Sequence, residues 1–133
     1  MGGKRNGRED RTEVRNMTFK EIASMIASTS LPYAYFSFDE GNAPDPPFIC
    51  FYYAESNDFV ADDTNYQKVE SLIIELYTSN KDFTVEKTVE DVLRSSGLVY
   101  SRSETYIASE RLYEVIYETD VLITEEDPVT TEE

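Results

Sequence analysis

Alternation of period two dominates the second half of the chain. In "YQKVESLIIELYT" (66–78), Leu72, Ile74 and Leu76 fall on one face, and Ser71, Ile73, Glu75 and Tyr77 fall on the other. In "RLYEVIYETDVLIT" (111–124), Tyr113, Val115, Tyr117, Val121 and Ile123 point one way, and Glu114, Glu118 and Asp120 the other. A strand packed on one side and wet on the other has this pattern. "LVYSRSETYI" (98–107) reads as a strand with Ser and Glu softening its outer face, and "YAYFSF" (33–38) as a short aromatic one.

Helical spacing appears twice. In "MTFKEIASMIASTSL" (17–31), Ile22, Met25 and Ile26 share a face, and Thr18 with Glu21 forms a capping box. Met17 and Ile22 are placed as a hydrophobic staple, and Pro32 marks the end. In "TVEKTVEDVLRSSG" (84–97), Val85, Val89, Val92 and Leu93 line one face. Thr84 is the expected N-cap, and Gly97 the expected stop.

"FICFYYA" (48–54) does not alternate at all. It predicts a strand covered on both faces. Pro47 cannot donate to a ladder, so pairing is expected to begin there. The polar stretches 39–47 and 55–65 read as loops. The expected fold is α+β, in the order α-β-β-β-α-β-β: a mainly antiparallel sheet of about five strands, with two helices on one face. Two helices of three turns cover only one face. The second side of strand 48–54 therefore needs the chain's own loops, a folded-back strand pair or another subunit.

Charge divides the chain into three parts. Residues 1–20 hold six bases against three acids, and the remaining residues hold six against 24. Residues 1–16 read as a basic arm that reaches an acidic neighbour or DNA, or else as a solvated terminus or vector-derived remnant. Residues 17–124 form the expected single domain, and 125–133 an acidic tail. A net charge of −15 argues against gripping duplex DNA or an anionic membrane, both of which need clustered bases. The single cysteine, Cys50, rules out an internal disulfide. No apolar run approaches the ~18–20 residues that span a bilayer. These features fit a soluble protein in a reducing, intracellular setting.

The chain has no histidine, which removes the commonest general base and metal ligand. A Cys–His pair and a Cys/His zinc site are both impossible, and no Walker loop or Rossmann fingerprint occurs. Asp58, Asp62 and Asp63 are hard oxygen ligands in one loop, but their spacing is not that of an EF-hand, so a plain acidic turn is expected. No cofactor, metal or catalytic residue is expected. Ten tyrosines without a tryptophan suit surfaces that are half packed and half wet, whether core rim or interface.

Whole segments carry a family resemblance. The GNAPDPP loop entering an apolar strand, "NDFVADD" followed by "NY", "IELYT" before the second helix, and "ASERLYEVIYE" together resemble the small tail-terminator proteins of long-tailed phages and prophages of Gram-positive bacteria. The resemblance covers roughly residues 17–124. It implies a structural virion protein of the tail or neck, assembled in the host cytoplasm. Its partners would be further copies of itself in a hexameric ring, the tail tube protein, and a head-completion or stopper protein. DNA would pass through the lumen without specific binding, and no membrane would be involved. On that reading Asp39, Glu40, Asp45, Asp58, Asp62 and Asp63 are candidates for lumen or ring contacts, with Tyr52, Phe59 and Tyr106 as aromatic interface candidates. Two other readings remain open: a different neck component, and an acidic DNA mimic that blocks a nucleic-acid-binding enzyme.

Overall fold

The structure is a computed structural model that describes residues 14–62 and 65–124, with side-chain surroundings described outside 55–68. Its elements are β1 (Arg15–Met17), α1 (Phe19–Ala27), β2 (Tyr33–Tyr35), β3 (Phe48–Asp62), β4 (Asn65–Thr78), α2 (Phe83–Ser95), β5 (Ser101–Ile107) and β6 (Leu112–Ile123). The fold is α+β, with both helices packed against one face of a six-stranded sheet.

Local chemistry sets the helix ends. At α1, the Thr18 hydroxyl accepts from the Glu21 N–H and the Glu21 carboxylate accepts from the Thr18 N–H, both at 3.0 Å. Met17 and Ile22, the staple pair, are both buried. The helix ends at Ala27, short of the expected stop at Pro32. Its closing turn is satisfied from the side, by the Ser28 and Thr29 hydroxyls donating to the carbonyls of Met25 and Ile26. The N-cap of α2 is Asp82, not Thr84: the Asp82 carboxylate accepts from the Val85 N–H at 3.1 Å. At its other end Gly97 has φ +79, and the N–H groups of Gly97 and Leu98 bond the carbonyls of Arg94 and Leu93. This left-handed cap favours glycine. A side chain there would meet Arg15, whose Nε donates to the Ser96 carbonyl.

The strand order is β1-β6-β4-β3-β2, and β5 shares the β6 edge with β1. β5 pairs the first part of β6 antiparallel, and β1 pairs the last part parallel. The sheet is mixed: the long β3–β4, β4–β6 and β5–β6 ladders are antiparallel as expected, and the two three-residue pairings, β1 with β6 and β2 with β3, are parallel. The extra strand is β1: Arg15 and Asn16, expected in the basic arm, pair with Val121 and Leu122. Residues 1–13 and the tail 125–133 lie outside the described residues.

The β3–β4 hairpin is longer than expected. Residues 55–62, read from their Asn, Asp and Ser content as loop, continue β3 and pair with 65–70 across two register shifts. Cross-strand pairing with β4 supplies the backbone partners that composition alone did not suggest, and the bulges let the ladder resume after each interruption.

Ile49 and Phe51 of β3, Leu72, Ile74 and Leu76 of β4, and Val115, Tyr117, Val121 and Ile123 of β6 face the helices and pack with Ile22, Ile26, Val89 and Leu93. An ion network fastens α2 to β5. Glu86 is only 3% exposed, and receives Lys81 at 2.5 Å and Arg102 at 2.7 Å. The same two bases also hold Glu104, and their attraction keeps its carboxyl below the usual range, Lys81 contributing most. A charge buried to that extent is tolerable only when paired.

Ile49 sits in the layer between sheet and helices. Ile49→Asp is expected to abolish cooperative unfolding, since an unpaired buried carboxylate costs more than about 3 kcal/mol. Circular dichroism and urea titration check this. A variant with a native-like transition would show that Ile49 does not face the core.

Candidate interaction surfaces

The second face of the sheet is a grid, and its two halves differ. The register aligns Phe48–Tyr77–Glu114, Cys50–Glu75–Ile116 and Tyr52–Ile73–Glu118 across β3, β4 and β6. The β3 half is apolar, and the β6 half is acidic, with Asp120 next along β6.

The chain's own loop covers the apolar half. Phe38 meets Phe48 edge-on with ring centroids 5.4 Å apart, and Phe36 meets Tyr52 edge-on at 5.5 Å. Phe48 and Cys50 are consequently buried. A neighbouring subunit is therefore not needed to shelter this face. The proline-rich stretch, whose Pro46–Pro47 bond is cis, is the return path that brings residues 36–47 over β3.

Exposed aromatic surface lies at the sheet edge instead. Phe19, Tyr33, Tyr35 and Phe36 are exposed along the β2 edge, Phe36 at 64%. Phe19 and Tyr35 both pack on Tyr53, at 5.0 and 5.9 Å. The Tyr35 hydroxyl accepts from the Tyr53 N–H, just past the three residues of β3 that β2 pairs. Phe36 has φ +67, a left-handed conformation that is costly for a bulky residue. A bond from the Phe36 N–H to the Phe51 carbonyl, 2.7 Å long, holds it there.

A second cluster lies at the seam of the grid. The Tyr77 hydroxyl is 2.9 Å from Glu75 and 3.0 Å from Glu114, and its one proton can serve only one of them at a time. Ser71 donates to Glu118 at 3.0 Å. Burial pushes the Glu75 carboxyl up; the Tyr77 hydrogen bond opposes this, and the Glu114 charge adds to the rise. Burial, followed by the charges of Glu75 and Glu114, pushes the Cys50 thiol up to about 11, so it stays protonated and unreactive at neutral pH.

Of the residues singled out from sequence, Asp39, Glu40 and Asp45 are exposed on the loop that follows β2. Tyr52 is half-buried under Phe36, and Tyr106 is exposed on β5, at the opposite edge of the sheet. The fold does not unite them in one site. Asp58, Phe59 and Asp62 lie along β3, where only the backbone is described, and Asp63 lies outside the described residues. Among the described residues no three carboxylates or cysteines are placed to hold a metal ion. Sequence reasoning missed the edge cluster of Phe19, Tyr33, Tyr35 and Phe36. For Tyr33, Tyr35 and Phe36 the "YAYFSF" run was the only trace, and that run reads equally well as core strand.

No family model matches the chain, and no curated protein matches it. Among solved structures, one chain of the virion of a native gene transfer agent particle is similar in shape. Its TM-score is 0.47 at 11% identity, covering 78% of this chain and 88% of that one.

Two predictions follow from these surfaces. Glu75 has a raised pKa in the fold, so its contribution to stability is full below the unfolded value and is lost as pH rises through the folded one. Glu75→Gln is expected to raise Tm at pH 7 and to match the parent near pH 4, by thermal denaturation; a lower Tm at pH 7 would show that burial does not hold the Glu75 carboxyl above its ordinary value in the fold. Phe36→Gly should leave stability within about 1 kcal/mol, because relief of about 1–2 kcal/mol of backbone strain offsets an aromatic contact of similar size. Urea titration reads it out, and a loss above about 3 kcal/mol would show that Phe36 is needed for folding.

Proposed function

We propose that this chain is a virion-assembly protein of a tailed phage or prophage, which closes the tail tube as a ring of copies and joins the tail to the head. The observation that carries the reading is the β2 edge: four exposed aromatic side chains, one of them held in a strained left-handed backbone. Strained, exposed aromatic residues held in place by surrounding structure mark contact surfaces more than solvent-facing ones. The resemblance of residues 17–124 to tail terminators supplies the biological setting. Hexameric order, the tube protein and a head-completion or stopper protein as partners all come from that resemblance.

The chemistry of the surface suits this role. The acidic half of the second face, with Glu114, Glu118 and Asp120 in one row along β6, suits a wall that DNA slides past, because like charges repel and offer no phosphate a cation to hold. Asp39, Glu40 and Asp45 lie on the loop beside the aromatic edge, where a ring contact would use them.

Light scattering on the purified chain, alone and mixed with tail tube protein, tests the reading. The expected outcome is a closed oligomer, or a capped tube whose length stops growing when the chain is added. A monomer at every concentration that leaves tube growth unchanged overturns it.

A further inference from the structure

The segment 36–47, which folds back over β3 like a strap, shares its contacts with the carboxylate at the seam of the second face. Phe36 rests on Tyr52 and Phe38 rests on Phe48, so the strap has two aromatic feet on β3. Both feet lead to Glu75. The Tyr52 hydroxyl donates to the Glu75 carboxylate. Phe48 packs at 5.1 Å on Tyr77, whose hydroxyl is 2.9 Å from the same carboxylate. Cys50, opposite Glu75 in the ladder, lies between the two feet and is buried.

No base balances that carboxylate. Directly opposite it stand Cys50 of β3 and Ile116 of β6, and diagonally Phe48, Tyr52, Glu114 and Glu118; Ile73 and Tyr77 flank it along β4. β5 adds Ser101, Ser103 and Thr105 to this face, and the charges of the strap itself are Asp39, Glu40 and Asp45. Among the described residues no lysine or arginine holds a second-face position on β4, β5 or β6. Glu75 and Glu114 both lie within 3.0 Å of the Tyr77 hydroxyl. Two carboxylates this close, with no cation beside them, favour holding one proton between them. Burial acts on Glu75 in the same direction.

We propose that Glu75 is a proton-operated latch for the strap: while its carboxyl is protonated the strap stays seated on β3, and loss of that proton lets the strap lift and uncover Cys50. With the proton on, the Glu75 O–H donates to the Tyr77 oxygen and the Tyr77 O–H donates to Glu114, so each acceptor has a donor. When the proton passes to water, a second negative charge stands beside Glu114 and needs hydration. Lifting the feet off Tyr52 and Phe48 frees the rings around Glu75 to turn and admit water. The seated strap therefore binds the proton more tightly than the lifted one, and seating weakens as pH rises through the raised value of Glu75. A charge change at one site biasing a two-position segment is a common form of switch. Phe36, Asp39, Glu40 and Asp45 ride on the strap, so the latch also sets the form of the exposed edge. This inference goes beyond the assembly reading and does not rest on it.

Hydrogen exchange on the full chain tests the latch. Parent and Glu75→Gln are labelled side by side at about pH 5 and about pH 8, so that the chemical exchange rate cancels at each pH. Labelling times are kept too short for the amides of α2 and β6 to exchange. Glutamine is neutral and similar in shape, so it stands for the protonated latch. At the higher pH, amides within 36–51 should exchange at least about threefold faster in the parent, and at the lower pH the difference should shrink. Asp120→Asn removes a charge from the same face away from Tyr77 and should follow the parent. Iodoacetamide labelling of Cys50 gives a second readout. Burial and then the Glu75 charge hold its thiol up, so Glu75→Gln alone would speed the reaction, whereas a seated strap slows it. Slower labelling of Glu75→Gln at the higher pH is the expected result. Equal or faster exchange or labelling in Glu75→Gln would overturn the latch, as would strap amides that exchange only together with α2 and β6. An effect of Asp120→Asn as large as that of Glu75→Gln would overturn it too, because net charge and not this site would then seat the strap.

Discussion

One layer of helices cannot cover both sides of a sheet, and β3 is apolar on both. Most of the architecture follows from how that excess is sheltered. Ile49 and Phe51 go under α1 and α2 with the inward rows of β4 and β6. Phe48, Cys50 and Tyr52 go the other way, and residues 36–47 fold back so that Phe36 and Phe38 lie on them. Aromatic rings suit this task, because each covers a large area with few side-chain torsions to freeze. The cover is narrow, however: it stops at β3, and its outer side is the exposed edge at Phe36.

The same constraint divides the electrostatics. Carboxylates of β6 that the loop does not reach remain at the surface, and at the seam between covered and uncovered halves Glu75 and Glu114 compete for one tyrosine proton. On the helix side the opposite solution is used. Glu86 is buried, and two bases are drawn inward to meet it, which ties α2 to β5. Lys81 and Arg102 are thereby committed to carboxylates of the same layer.

Much of the fold is legible in the chain. The alternation of 66–78 and 111–124 assigned the inward rows correctly, because a pleated strand obliges successive side chains to opposite faces whatever its neighbours are. The capping box, the staple and Gly97 are local interactions of a few residues, so they too were readable. The unpatterned run 48–54 correctly announced a strand covered twice.

What covers that strand was decided only by tertiary structure. Loop, folded-back strands and neighbour are all compatible with the composition, and the choice depends on contacts between residues far apart in sequence. The parallel pairing of β1 and β2 and the extension of the hairpin through 55–62 are of the same kind. Each depends on which partner the backbone meets, and three-residue strands have too few side chains to show a period. The aromatic edge belongs here as well. Three of its residues are spelled out in "YAYFSF", but whether a ring faces core or water is fixed by where the sheet ends, and no local pattern encodes that.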